Sequence, residues 1–98
     1  MIQSRRDQIY SIDAKLYLWG EDDYILLLND LESILEEEVS SFSAMPEGMQ
    51  DSGRGAESRN AKISLQKAIK ALKEVVDKKN RRKTQELMDE VHENLRVV

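Results

Sequence analysis

The sequence predicts an all-α fold, and three observations predict it. Apolar residues recur at three- and four-residue steps along two stretches, 1–42 (the first arm) and 58–98 (the second arm). Both arms are nearly free of Gly and Pro, and no segment alternates with period two. We therefore expect an antiparallel helical hairpin with arms broken near Gly20 and Asn80, forming a three- to four-helix bundle or a dimeric, coiled-coil-like helical bundle.

The first arm contains two predicted helices, at about 4–19 and 22–42. The apolar stripe that starts at Ile9 loses its phase just after Trp19. Gly20 favours the end of a helix, and the acidic residues that follow it favour a new helix start.

A flexible loop is predicted at 43–57, within one helical domain that spans 1–98. This stretch holds the only Pro and three of the four Gly residues. It is also longer than most connections in compact domains, where about 4–6 residues are usual.

The second arm contains two further predicted helices, at about 58–79 and 81–96. Ser58 is the predicted N-cap of the first of them, because its hydroxyl can accept a hydrogen bond from a free backbone N–H. A basic segment near Asn80 interrupts the apolar stripe between the two helices.

Charge favours antiparallel pairing of the two arms. The first arm carries 3 basic and 10 acidic side chains, whereas the second carries 11 basic and 6 acidic ones. Pairing about the loop places Arg5 and Arg6 opposite Glu93, and the acidic run Glu36–Glu38 opposite Lys62. Exposed ion pairs contribute only about 0–1 kcal/mol each, so we expect these charges to set the register.

The first arm has more apolar residues than one stripe can bury. Leu16–Trp19 and Tyr24–Leu28 are apolar around most of the helix, because consecutive helical residues lie about 100° apart. Either a folded-over bundle buries both faces, or one face binds another protein or a second copy. Trp and Tyr are common interface anchors. The predicted protein-binding residues are Tyr17, Leu18, Trp19, Tyr24 and Leu26.

These features predict a small non-enzymatic protein that acts by protein–protein interaction, as an adaptor, chaperone, inhibitor or assembly component. Its expected partner is another protein or a second copy of itself in a homodimer. The alternative is a nucleic-acid-associated regulator with a basic phosphate-binding cluster. That cluster consists of Lys78, Lys79, Arg81, Arg82 and Lys83. The chain is acidic overall, with a net charge of −4, which favours the first interpretation.

The sequence contains only incomplete matches to catalytic, cofactor-binding and metal-binding motifs. Gly48–Gly55 has the glycine spacing of a phosphate-binding loop, but it lacks the Lys and the Ser or Thr that such loops need. Asp89 and His92 are three residues apart on a helix predicted to face solvent, without the second copy of the motif that a helical di-metal site needs. The sequence therefore predicts no enzyme, catalytic residue, cofactor, metal or small-molecule substrate.

No membrane partner is expected, and the predicted location is cytoplasmic. The longest apolar run, Tyr24–Leu28, is far shorter than the ~20 residues of a membrane-spanning helix. The first residues, Met1–Asp7, lack the apolar region of a signal peptide.

The chain resembles two groups of small helical proteins. Its size, two-arm plan, absence of Cys and Trp19-Gly20 pair resemble the WXG100-type helical hairpins that specialised bacterial secretion systems export. Those proteins have Trp-x-Gly at the turn between their helices, whereas here Trp and Gly are adjacent. The chain also resembles short helical bacteriophage proteins. Both resemblances imply a secreted or structural assembly component that associates beyond a dimer.

Overall fold

The computed structural model describes residues 1–50, 52–77 and 84–98. Every regular element in these ranges is helical and none is a strand, which confirms the predicted all-α class. The break expected near Asn80 lies outside the described residues. The elements are α1 (Gln3–Leu18), a 3₁₀ turn (Glu21–Asp23), α2 (Tyr24–Ala44), α3 (Glu47–Gln50), α4 (Gly53–Asp77) and α5 (Thr84–Arg96).

The first arm doubles back on itself through a short turn. The backbone of Trp19 is extended, and its N–H donates to the Lys15 carbonyl at 2.8 Å, which ends α1. The Asp23 N–H donates to the Gly20 carbonyl at 3.0 Å. The chain therefore reverses, so that Arg5 at the start of α1 reaches the last turns of α2.

The four long helices pack in the cyclic order α1, α2, α4 and α5. Neighbouring helices run antiparallel, as shown by contacts from Glu38 to Ser58 between α2 and α4 and from Asp13 to His92 between α1 and α5. The resulting bundle measures 43 × 24 × 17 Å along its principal axes. The turn between α1 and α2 therefore lies at the same end of the bundle as the last turn of α4.

Aliphatic side chains from all four long helices form the core. The contribution of α1 is small, because its buried side chains are only Ile9, Ile12 and Leu16. Polar contacts at several points along α1 therefore help to hold it in place. The other buried apolar residues are Tyr24, Leu27, Leu28, Leu31, Ile34, Ala61, Leu65, Ala68, Ile69, Ala71, Leu72, Val75, Leu87, Met88, Val91, Leu95 and Val98.

The predicted charge register is wrong at the start of α1. Arg5 pairs with Glu37 and Glu38 of its own arm, at 3.3 and 3.0 Å, and Arg6 pairs with Glu57. The prediction assumed two straight arms. Once the first arm folds back, the start of α1 meets the end of α2 instead of the acids of α5.

The predicted loop at 43–57 is helical over most of its length. After α2 ends at Ala44, the Met49 and Gln50 N–H groups donate to the Pro46 carbonyl at 2.8 and 3.1 Å and form the single turn of α3. The Gln50 side chain donates to the carbonyls of Phe42 and Met45, at 3.2 and 3.1 Å, and so satisfies acceptors at the end of α2. Pro and Gly here make a compact corner.

The predicted N-cap, Ser58, lies inside α4 instead. Helix α4 begins at Gly53, and the fully buried Ser58 hydroxyl donates to Glu38 Oε1 at 2.7 Å. A buried carboxylate needs such donors, because an unpaired buried charge is strongly unfavourable. Ser58 therefore satisfies a polar group of α2 rather than the end of its own helix.

Gly55 makes the compact corner possible, and its replacement is expected to destabilise the fold. A Cβ atom at this position would overlap the backbone of Gln50, which no side-chain rotation relieves. We expect Gly55→Ala to lower the free energy of unfolding by about 1–3 kcal/mol, the range for overpacked sites. Urea denaturation followed by circular dichroism measures this loss. Gly48→Ala is the matched control, because the space around Gly48 is open; an equal loss in both variants would contradict the close approach.

Candidate protein-interaction surface

Five large apolar residues remain exposed where α1 turns into α2. We name this group the turn patch: it consists of Tyr17, Leu18, Trp19, Ile25 and Leu26. They belong to the last turn of α1, the residue after it and the first turn of α2, so they share one end of the bundle. Leu18 is the most exposed of them, with 82% of its surface accessible. Folding back has buried one face of each apolar run and left the other face in solvent.

Tyr24 is the one predicted binding residue that the structure removes from the surface. Only 8% of it is accessible, and its hydroxyl donates to the Leu16 carbonyl at 2.9 Å. Tyr24 lies three and four residues before Leu27 and Leu28 and therefore shares their buried stripe. This spacing is a sequence signal that identifies Tyr24 as a core residue. Ile25 is 44% accessible and is a surface residue that the prediction missed.

Contacts between α1 and α5 hold the side of Tyr17 that faces α5. We name this group the polar clasp: it consists of Asp13, Tyr17, His92 and Arg96. The Tyr17 ring stacks on the His92 imidazole, with centroids 4.0 Å apart and planes inclined by 9°. His92 Nδ1 contacts an oxygen of Asp13, and Arg96 donates to the Tyr17 hydroxyl. Arg96 Nε also lies 3.7 Å from Asp13 Oδ2. These contacts fix the position of the ring at the edge of the turn patch.

The expectation that His92 faces solvent is wrong. His92 is buried, and its partner Asp13 comes from the opposite end of the sequence. The high charge of α5 suggested a solvated helix, but His92 follows Met88 and Val91 on the buried stripe of that helix. Nothing in the local sequence indicates the Asp13 partner, because 79 residues separate the two positions.

A polar groove between α1 and α2 leads towards the turn patch. Its volume is about 490 Å³, and the buried side chains Ile12 and Ile34 lie among its lining residues. Serine hydroxyls, one glutamine amide and charged groups from the two helices form the rest of the lining. Those residues are Asp7, Gln8, Ser11, Lys15, Asp30, Ser33 and Glu37. Lys15 and Asp30 each lie about one helical turn from the turn patch.

Several acids on this side of the bundle have no cationic partner. Glu38 pairs with Arg5 at 3.0 Å, Asp13 with Arg96 at 3.7 Å, and Glu32 with Lys73 at 3.0 Å. Five other exposed acids of the first arm form no ion pair within the described part of the chain. They are Asp7, Asp22, Asp23, Asp30 and Glu36. The first arm therefore presents its apolar patch in a negative field.

The predicted nucleic-acid-binding cluster Lys78, Lys79, Arg81, Arg82 and Lys83 lies outside the described residues. Of the basic side chains of α4, Lys62 lies 3.9 Å from the centre of the Phe42 ring and Lys73 pairs with Glu32. Lys67 and Lys70 share a groove with Glu74, Glu90 and Glu93. Acidic or aromatic groups of this chain therefore already accompany these four lysines.

Comparisons with protein-family models, curated proteins and solved structures find no match for this chain. Among the residues that the structure describes, no helix is both long and apolar enough to cross a membrane. The same residues contain no group of three or more His, Cys, Asp or Glu side chains placed to hold a metal ion.

Proposed function

We propose that this chain is a non-enzymatic protein-interaction module whose contact surface is the turn patch. The observation that carries the proposal is the exposure of five large apolar side chains, including the only Trp, at one end of the bundle. Soluble monomers rarely leave contiguous apolar patches uncovered unless something binds there. Trp and Tyr are also among the residues that contribute most to binding at interfaces.

Contacts on both sides hold the backbone around the turn patch, which supports this role. Tyr24 ties the start of α2 to the end of α1, and the clasp between Asp13 and His92 ties α1 to α5. A partner would therefore meet apolar side chains on a fixed turn, without first ordering a loop. Such preorganisation reduces the entropy lost on binding.

We propose that the functional unit is the folded-over four-helix bundle rather than a straight hairpin. The internal contacts of the first arm support this choice, since Arg5 bonds to Glu38 and Ser41 across the fold-back. The same fold-back buries part of the excess apolar residues that otherwise favour pairing of two straight hairpins, including Tyr24 and Leu28. The exposed apolar side chains of the turn patch are then the surface available to a partner protein.

Site-specific photo-crosslinking tests the proposal. A benzoylphenylalanine is placed at Leu18 in the turn patch, or at the exposed Glu86 on α5 as control, and the protein is added to an extract of its source cells. We expect a discrete adduct from position 18 and none from position 86. The mass of the adduct separates a second copy, at twice 11.3 kDa, from another protein.

Two variants make the result decisive. Leu26 lies across the turn from the probe at position 18, and Leu26→Ser should remove the adduct. The double variant Arg81→Glu with Arg82→Glu should leave the adduct unchanged. Loss of the adduct only in the charge-reversal variant would favour the nucleic-acid-associated alternative. Equal labelling from positions 18 and 86 would contradict a dedicated surface at the turn.

A further inference from the structure

We infer that the partner presents a basic amphipathic helix, which docks along the groove between α1 and α2 with its apolar side chains on the turn patch. This inference rests on the proposed function, because it specifies the chemistry of the partner at the same surface. The occupant differs from a second copy of the chain, and the charges around the site distinguish the two.

The shape of the site suits a helix. Two antiparallel helices leave a groove between their ridges that a third helix can enter, and amphipathic helices commonly bind in this way. From Asp7 to Leu18 the axis of α1 rises about 16 Å, which matches about three helical turns. An occupant of that length would lie over Ile12 and Ile34 and reach Leu26 with its last turn.

The charge of the site favours a cationic occupant. Three carboxylates line the groove against one cation: Asp7 lies on α1, and Asp30 and Glu37 lie on α2, where Glu37 also contacts Arg5 at 3.3 Å. Lys15, the one cation of the lining, has its ammonium group 5.5 Å from the centre of the Trp19 ring. Lysine or arginine side chains flanking the apolar face of a partner helix would meet these carboxylates at a partly dry surface.

The same charges disfavour a symmetric homodimer through this face. In a two-fold dimer the same patch meets itself, so each acid would approach the acids of the other copy. Asp22 and Asp23 beside the turn patch, and Asp30 in the groove, would then face like charges at close range. Juxtaposed like charges are a strong barrier to association.

Intrinsic fluorescence provides a direct test, because Trp19 is the only Trp and lies in the turn patch. The full chain is titrated with a Trp-free amphipathic helical peptide of Leu and Lys, about 15 residues long to cover the groove. The matched probe replaces every Lys with Glu. We expect the Lys peptide to bind at least about tenfold more tightly, with a free-energy difference of about 1.4 kcal/mol.

Variants locate the binding. Leu26→Ser should weaken the Lys peptide about tenfold by removing an apolar contact, while Asp7→Asn with Asp30→Asn should weaken it about tenfold by removing charge. Glu47→Gln with Glu86→Gln is the control, since it removes the same charge from exposed positions on α3 and α5. We expect the control to bind within about twofold of the unmodified chain.

The outcomes separate this inference from the proposed function. Equal binding of both peptides, with Leu26→Ser weakening both, would overturn the basic partner and keep the turn patch as an interaction surface. Equal effects of the two charge variants would overturn the groove as the site. No binding by either peptide, or binding unaffected by Leu26→Ser, would count against the inference and the turn patch together.

Discussion

Glu38→Ala should lower the free energy of unfolding by about 3–5 kcal/mol, the range for breaking a buried ion pair from one side. Glu38 is 1% accessible and accepts hydrogen bonds from Arg5 Nη1 at 3.0 Å and from the Ser58 hydroxyl at 2.7 Å. The amino group of Met1 lies 3.4 Å away. Removal of the carboxylate leaves the buried Ser58 hydroxyl without its acceptor and takes the nearest negative charge from Arg5 Nη1 and from the Met1 amino group. Urea denaturation followed by circular dichroism measures the loss.

The neighbouring residue supplies the control for this prediction. Glu37 also contacts Arg5, at 3.3 Å, but 59% of its side chain is accessible. Glu37→Ala should therefore change stability by no more than about 1 kcal/mol, as exposed ion pairs do. If the two alanine variants lost equal stability, Glu38 would not be the buried link between α1, α2 and α4.

Leu31→Ala should destabilise the chain by about 2–5 kcal/mol, the usual range for a cavity created in a packed core. Leu31 is fully buried on α2 and belongs to the hydrophobic core to which all four long helices contribute. The fold of the first arm depends on this burial, because a straight hairpin covers fewer of the apolar residues of α2. Thermal or urea unfolding gives the difference.

Leu26→Ala is the matched control, since it makes the same chemical change on the same helix at a residue that is 54% accessible. We expect a change within about 0.5 kcal/mol, as for most surface substitutions. A large loss at Leu26 together with a small loss at Leu31 would mean that α2 turns the opposite face towards the core.

The helices themselves follow from local sequence pattern. The stripe of Leu27, Leu28, Leu31 and Ile34 repeats at helical spacing, so it predicts both the existence of α2 and the face that packs. The sequence pattern also predicts the turn near Gly20, where the phase of this stripe changes. These are properties of neighbouring residues, and tertiary contacts do not alter them here.

The corner between the two arms could not be predicted in the same way. Gly and Pro in 43–57 are typical of a mobile loop, because both residues interrupt regular helices. Here Gly55 has no Cβ atom, so the backbone of Gln50 in α3 can lie directly against α4. This is a contact between two helices. Amino-acid composition indicates how freely a segment can bend, but it does not show which two backbone segments come into contact.

The polar contacts that fix α1 are equally hidden from sequence. Arg5 and Glu38 lie on helices that are antiparallel only after the fold-back, and Asp13 and His92 come from opposite ends of the chain. In a chain that is 35% charged, many pairings of opposite sign are available. Choosing among them requires the relative placement of the helices, which the charges alone do not determine.

The turn patch was partly predictable, and the error is instructive. Tyr17, Leu18, Trp19 and Leu26 are exposed as expected, whereas Tyr24 is not. The prediction treated Tyr24–Leu28 as apolar around most of the helix and selected Tyr24 together with Leu26. The helical spacing to Leu27 and Leu28 would have assigned Tyr24 to the core.

The molar mass in solution, from size-exclusion chromatography with light scattering at low and high salt, tests the central claim most directly. A folded-over bundle whose acidic, apolar face is reserved for a different protein predicts a monomer of 11.3 kDa at low salt, where repulsion between the acids of two copies is least screened. A stable dimer at low salt that Leu26→Ser converts to monomer would contradict it, because the turn patch would then be the contact between two copies of this chain.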